Sequence, residues 1–143
     1  MARGRNRGAS LNVRPVPPEP PRPLRPEERA TLLALLNHAD FRGRDELVEQ
    51  VDAAQAVGGC TCGCATIDLI VDPAAPSAVG TYRPIPNEAE VIDAEGEHVG
   101  GVIVFTEDGY LSSLEIFTWL DDPINPFPPL AQLRLVSWGP RSA

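Results

Sequence analysis

Residues 102–119 have the sequence VIVFTEDGYLSSLEIFTW, in which two apolar runs meet at the pair Asp108-Gly109. An Asp-Gly pair between runs of this kind is the strongest short-range signal of a β-hairpin, because a type I′ turn needs a positive φ at both central residues. The pair therefore predicts an antiparallel hairpin in which Glu107 lies opposite Tyr110.

The register of this hairpin predicts which side chains share a face of the sheet, since successive residues of a strand point to opposite sides. Continuing outward from the turn places Phe105 opposite Ser112 and Ile103 opposite Leu114. We expect the core face to carry four apolar side chains of the hairpin: Phe105, Ile103, Leu114 and Ile116. We expect the opposite face to carry five: Val102, Val104, Leu111, Phe117 and Trp119.

Two helices are predicted before the hairpin. Pro26 at a first helical position, two glutamates in the first turn and four leucines at helical spacing predict a helix over residues 26–38. Residues 45–51 predict a second helix. We expect this helix to continue beyond Val51 and to end at Gly58-Gly59. Alternating or β-branched segments predict strands at four places: residues 66–72, 88–93, 99–106 and 133–138.

The predicted fold class is therefore α+β. We expect two N-terminal helices packed on one face of a four- to five-stranded antiparallel meander, with residues 26–143 forming a single domain. Because two helices cover only one side of such a sheet, the five outer apolar side chains need another cover. The candidates are the proline-rich loop after Asp121-Asp122, the strand at residues 133–138, and another protein chain.

Residues 1–25 are rich in arginine and proline, and we expect them to form a disordered or polyproline-type arm. Proline removes N–H donors and fixes φ, so a packed core is not expected there. The composition suits a solvated leader, with or without a place in the mature protein. It also suits a tail that docks on a partner or contacts RNA.

The charge of the chain is acidic and unevenly distributed. Twelve arginines, no lysine and 20 Asp and Glu give a net charge of −8, with +4 on residues 1–29 and −12 on residues 30–143. An acidic surface repels nucleic acid and attracts a basic protein. The absence of lysine excludes Schiff-base chemistry and the P-loop lysine. We therefore expect a basic protein partner, and neither nucleic acid on the folded domain nor a membrane.

Cys60, Cys62 and Cys64 lie within five positions. Three thiolates suit zinc or another thiophilic metal, with His38, His98 or a carboxylate as the fourth ligand, although a C-x-C-x-C run must curl to chelate one ion. A redox dithiol is a second hypothesis, and buried structural cysteines are the interpretation that burial statistics favour most. Crowded cysteines make a poor disulfide framework, and no apolar stretch approaches the ~18 residues of a membrane helix, so we expect a cytoplasmic protein.

No catalytic residue is predicted, because each pair of adjacent acids is explained by a helix start, a turn or a loop. The sequence favours a non-catalytic acidic protein-binding module, for example one that neutralises a basic toxin or nuclease, with the five outer apolar side chains as its binding residues. The alternative is a small metal-binding domain that uses Cys60, Cys62 and Cys64. Dimerisation through the outer strand face is left open.

The chain also resembles a family of small uncharacterised proteins from high-GC, actinobacterial bacteria, in the segments PEERATLLALL, FRGRDELVEQ, CTCGCATIDL and GGVIVFTEDGYLSSLEIFTW. The resemblance covers about residues 26–136 and leaves out the arginine- and proline-rich arm. No activity is known for that family, so the resemblance implies the organisation of the chain and no catalytic residue.

Overall fold

The computed structural model describes residues 20–59 and 63–138. Two helices and seven strands lie in this part of the chain. The helices are α1 (Pro26–His38) and α2 (Arg44–Val51). The strands are β1 (Arg22–Pro23), β2 (Ala54–Gly59), β3 (Ile67–Val71), β4 (Asn87–Ile92), β5 (His98–Glu107), β6 (Tyr110–Thr118) and β7 (Leu133–Ser137). A short 3₁₀ turn, Leu130–Gln132, leads into β7.

The seven strands form one antiparallel sheet in the order β1-β2-β3-β6-β5-β4-β7. Helix α1 packs against β4 and β7, and α2 packs against β6. We call the helix-covered side the inner face and the opposite side the outer face. The predicted α+β class with two helices is confirmed, but the sheet is larger than four to five strands. It is also not a simple meander, because β3 pairs with β6 instead of with β4.

Strand β2 replaces the second half of the predicted second helix. That helix ends at Val51, and the next strand pairs with β3 through Ala54–Gly59, so Gly58-Gly59 does not end a helix. The segment AQAVGG has weak strand propensity of its own, and its pairing with the alternating β3 overrides that preference. Ala56 is 1% exposed on the inner face, where its small side chain contributes to the core.

The prediction that residues 1–25 form an arm is corrected at strand β1. Arg22 and Pro23 pair with β2, so they belong to the sheet, while residues 1–19 lie outside the described residues. The Arg22 guanidinium donates two hydrogen bonds, of 3.0 and 2.9 Å, to the Glu28 carboxylate, which also accepts the Arg25 backbone N–H at 2.8 Å. A carboxylate in the first turn of α1 therefore anchors this strand, which local sequence patterns do not predict.

The hairpin turn is confirmed, and its register changes soon after it. Asp108 and Gly109 have φ values of 53° and 83°, and Glu107 pairs with Tyr110. Thr106 then pairs with Leu111, but Phe105 pairs with Ser113, so Ser112 is an extra residue on β6. Such a β-bulge shifts the pairing by one residue. Beyond it, each residue of β5 lies opposite a residue of β6 that would point to the other face in a regular register.

The bulge overturns the predicted assignment of faces. Val102 and Val104 are 0% exposed and Leu111 is 2% exposed, so these three side chains lie in the core with Leu114 and Ile116. The prediction that they face away from the helices is wrong. Ile103 and Phe105, which were expected in the core, are only partly buried.

A buried glutamine on α2 holds the backbone of the turn next to the bulge. The Gln50 side-chain oxygen accepts the Leu111 backbone N–H at 2.9 Å, and its amide nitrogen donates to the backbone oxygens of Gly109 and Pro76. These bonds satisfy buried backbone groups at the turn and at the start of β6. A contact between distant parts of the chain therefore holds the backbone next to the bulge.

Among the helices in the described ranges, none is long and apolar enough to cross a membrane.

Candidate functional site

The outer face of the sheet carries acidic and aromatic side chains in place of a second helix layer. On β6, Glu115 and Phe117 point outward and alternate with the inward-facing Leu114 and Ile116. On β3, Asp68 points outward beside them, because Ile67 pairs with Leu114 and is buried. The alternation that fills the core with aliphatic side chains therefore brings a carboxylate from each of two neighbouring strands to one surface.

A groove of about 590 Å³ lies on this surface. Its floor comes from β3 and β6, and its wall comes from the loop after Thr118, through Leu120, Pro123 and Ile124. We call it the acidic groove. Its lining includes Cys64, Asp68, Glu115, Phe117, Leu120 and Asp121.

The proline-rich loop is fastened to the segment that follows the cysteine run. The Ala65 backbone N–H donates to the Ile124 oxygen at 3.0 Å, and the Asn125 side-chain amide donates to the Gly63 oxygen at 2.8 Å. Phe127 is buried, which anchors the loop in the core. The loop thus covers part of the outer face, as one of the three expected covers, while β7 extends the sheet at its edge beside β4.

The groove has a concentrated negative charge. Asp68, Glu115 and Asp121 line it, and its lining residues within the described ranges include no arginine or histidine. None of these three carboxylates forms an ion pair with another described residue. The Ser113 hydroxyl donates to Glu115 Oε2 at 3.3 Å and so orients one carboxylate. A cation that entered the groove would therefore find negative charge that no arginine of residues 20–59 or 63–138 neutralises.

An aromatic patch adjoins the groove through Phe117. Phe117 and Trp119 are 44% and 58% exposed, with ring centroids 6.4 Å apart, and the His98 ring meets Trp119 edge-on at 4.8 Å. The Phe117 ring lies over Gly101, where a Cβ atom would come within 2.6 Å of the ring. Glycine at this position of β5 therefore gives the ring its place on the sheet.

One ion-pair cluster lies farther along the outer face, on β4 and β7. Glu90 accepts a hydrogen bond from Arg134 Nε at 2.5 Å, and His98 Nδ1 lies 3.8 Å from the other Glu90 oxygen. Arg134 therefore neutralises Glu90, in contrast to the carboxylates of the groove. Of these two charged sites, the groove is the one whose carboxylates form no ion pair among the described residues.

The structure brings together two of the predicted site groups. Phe117 and Cys64 both line the groove, and Trp119 lies next to Phe117. Cys60 and Cys62 lie outside the described residues. Among the described residues, no three His, Cys, Asp or Glu side chains gather as metal ligands, so the metal hypothesis for Cys60, Cys62 and Cys64 stays a prediction.

Asp68 and Glu115 are site residues that were not predicted from the sequence. Asp68 alternates with Ile67 and Leu69, and Glu115 has the same parity along β6 as Phe117, so both could have been assigned to the outer face. Their proximity depends on the pairing of β3 with β6, and no local pattern predicts that pairing. Comparison with known proteins adds no further site residue, because no family model, no curated protein and no solved structure matches the chain.

Proposed function

We propose that this protein is a non-catalytic protein-binding module, and that the acidic groove with its aromatic patch holds a basic segment of another protein. The observation that carries the proposal is the set of three groove carboxylates, Asp68, Glu115 and Asp121, with no ion pair to another described residue. These carboxylates lie next to the exposed rings of Phe117 and Trp119, so a bound cation would be attracted by the negative charge and by the faces of the rings.

Arginine is the side chain that fits this surface best. Its planar guanidinium can donate two parallel hydrogen bonds to a carboxylate such as Glu115. It can also stack on Trp119 or Phe117, because a cation is attracted to the face of an aromatic ring. The apolar wall formed by Leu120 would contact the aliphatic part of the same side chain.

The charge of the whole chain supports a basic partner. A net charge of −8 attracts a positively charged protein over long range and speeds the encounter, while groove contacts provide specificity. One form of this function is the neutralisation of a basic toxin or nuclease, whose nucleic-acid-binding surface would then be occupied. Such a role needs a complementary surface and no reacting group.

The fluorescence of Trp119 can test this proposal directly. In a Trp138→Phe background Trp119 is the sole tryptophan, and we expect a blocked arginine-containing peptide to change its emission in a saturable manner. The same peptide with citrulline in place of arginine keeps the shape and loses the charge, so it should not bind. Binding of the arginine peptide should weaken as salt rises.

Charge-matched variants give the control. Asp68→Asn with Glu115→Gln should weaken binding about threefold to tenfold, as expected for two exposed ion pairs. Glu49→Gln with Glu95→Gln removes the same charge from α2 and from the β4–β5 turn, and should leave binding within about twofold. Equal weakening by both pairs would show attraction by net charge alone, and equal binding of the citrulline peptide would contradict the proposal.

A further inference from the structure

The two edges of the sheet are protected very differently. At one edge, β1 has only two residues, and Pro21 and Pro23 have no N–H to offer a neighbouring strand. The Arg22 guanidinium also donates to the Pro23 backbone oxygen at 2.9 Å. At the other edge, β7 has five residues, no proline and an uninterrupted register with β4. Natural proteins usually block such an edge, because it can pair with another chain.

The backbone groups of β7 that point away from β4 can be assigned from its hydrogen bonds. The Trp138 N–H donates to the Pro86 oxygen at 3.0 Å, so residues of that parity face β4. By alternation, the N–H and C=O groups of Leu133, Leu135 and Ser137 point outward. Since β7 is the last strand of the sheet in the described ranges, these groups have no strand partner there.

The charge around β7 indicates what could occupy this edge. Residues 123–138 contain no Asp or Glu, although the chain has 20 of them, and Arg134 is the only charged side chain in the run. Two copies of an acidic protein repel each other over most of their surfaces, and this repulsion is smallest where acids are absent. Because β7 itself carries one arginine and no acid, a basic partner gains little at this edge, and a second copy fits it better.

We infer that β7 pairs with β7 of a second copy, antiparallel and around a twofold axis at Leu135. In this register Leu135 lies opposite its own counterpart, Leu133 opposite Ser137, and Arg134 opposite Val136, so no like charges are directly opposed. About six backbone hydrogen bonds would join the copies into one continuous sheet. The exposed Leu130 and Trp138, 43% and 52% exposed, flank the strand and would lose water contact.

This dimer goes beyond the proposed function and does not rest on it. The acidic groove lies on β3 and β6, and β5 and β4 separate it from β7. Both grooves of a dimer therefore remain open. The oligomeric state can be measured without any partner, so a failure of one proposal leaves the other standing.

Sedimentation velocity of the full chain at increasing protein concentration tests the inference. Two variants with opposite charges at Val136 are compared with the wild type. Val136→Lys places a cation opposite Arg134 of the other copy, twice per dimer, and should weaken the dimer on the order of 2- to 30-fold. Val136→Glu should keep or strengthen it. Within one chain Val136 lies opposite Glu88 on β4, so the lysine variant should fold at least as stably as the glutamate variant.

Leu135→Pro gives a second test, because proline is tolerated at an edge position whose N–H faces solvent. It removes the two central hydrogen bonds and should produce a monomer with an unchanged circular dichroism spectrum. A wild-type chain that stays monomeric at about 0.1 mM would overturn the inference. A dimer with the same dissociation constant in Val136→Lys, Val136→Glu and wild type would equally overturn it, since its interface would then lie elsewhere.

Discussion

The inner and outer faces of the sheet come from the same strands, yet they have opposite chemistry. The inner face is filled by buried aliphatic side chains such as Val104 and Leu114, while the outer face presents Asp68, Glu115 and Phe117. A single extra residue, Ser112, decides which side chains of β6 reach which face. The comparison shows that the position of a β-bulge, and not composition alone, assigns core and surface in this protein.

The largest difference between the faces is expected in the free energy of unfolding, when one residue on each face of β6 is truncated to alanine. Leu114→Ala removes a fully buried side chain and should lower the free energy of unfolding by about 2–5 kcal/mol. Phe117→Ala, three positions away, should lower it by less than about 1 kcal/mol, because almost half of that side chain is exposed. Urea unfolding followed by circular dichroism measures both. Similar losses would mean that Phe117 belongs to the core.

The hydrogen bonds that Gln50 forms next to the bulge can be tested by substitution. Gln50→Leu keeps the volume and removes three hydrogen bonds to the backbone around the turn, at Pro76, Gly109 and Leu111. The Leu111 N–H and the Pro76 oxygen lose this partner, while the Gly109 oxygen keeps the Ala78 N–H, and the loss should lower the free energy of unfolding by about 3 kcal/mol. Hydrogen exchange should show faster exchange of the Leu111 amide. A variant as stable as the wild type would contradict the role assigned to Gln50.

A smaller effect, which depends on pH, is expected at the buried carboxylate of Glu28. Burial tends to raise the pKa of Glu28, but hydrogen bonds from Arg22 and the Arg25 backbone, with the charges of both arginines, outweigh it and lower the pKa below 4.5. A lowered pKa in the folded state adds stability above the unfolded-state pKa, and this contribution is lost as pH falls through the folded-state value.

Glu28→Gln should therefore lower the free energy of unfolding by about 1–2 kcal/mol at pH 7. The difference from wild type should begin to shrink as pH falls below about 4.5, where Glu28 of the unfolded chain takes up a proton, and should be lost below the lower folded-state pKa. Glu27→Gln, at the exposed neighbouring acid, is the matched control and should change the free energy of unfolding by less than about 0.5 kcal/mol. A difference that stays constant between pH 7 and pH 3 would mean that the charge of Glu28 does not hold β1 on α1.

The parts of the fold that were predicted correctly depend on local signals. Pro26 and the acids of the first turn mark the start of α1, and Asp108-Gly109 marks the hairpin turn, because each needs only neighbouring residues. The parts that were missed depend on distant contacts. Strand β2 forms through pairing with β3, and the backbone next to the bulge is bonded to Gln50, which is 61 positions from Leu111.

The same division applies to the candidate site. Phe117 and Trp119 could be predicted as exposed aromatic residues from the hairpin, and the outward orientation of Asp68 follows from the alternation in β3. The groove itself could not, because its floor needs β3 beside β6 and its wall needs the proline-rich loop fastened to Gly63 and Ala65. Val102, Val104 and Leu111 were assigned to the wrong face for the same reason.

The most direct test of the central claim is to map the binding of the blocked arginine peptide by amide chemical shifts of the ¹⁵N-labelled protein. We expect the perturbed amides to cluster around the groove, at Asp68, at Glu115 to Leu120 and at Asp121, with those of α1 and α2 unchanged. The citrulline peptide should leave all of them unchanged. Perturbations centred on the helices, or spread evenly over the acidic surface, would contradict the assignment of the outer face as the binding surface.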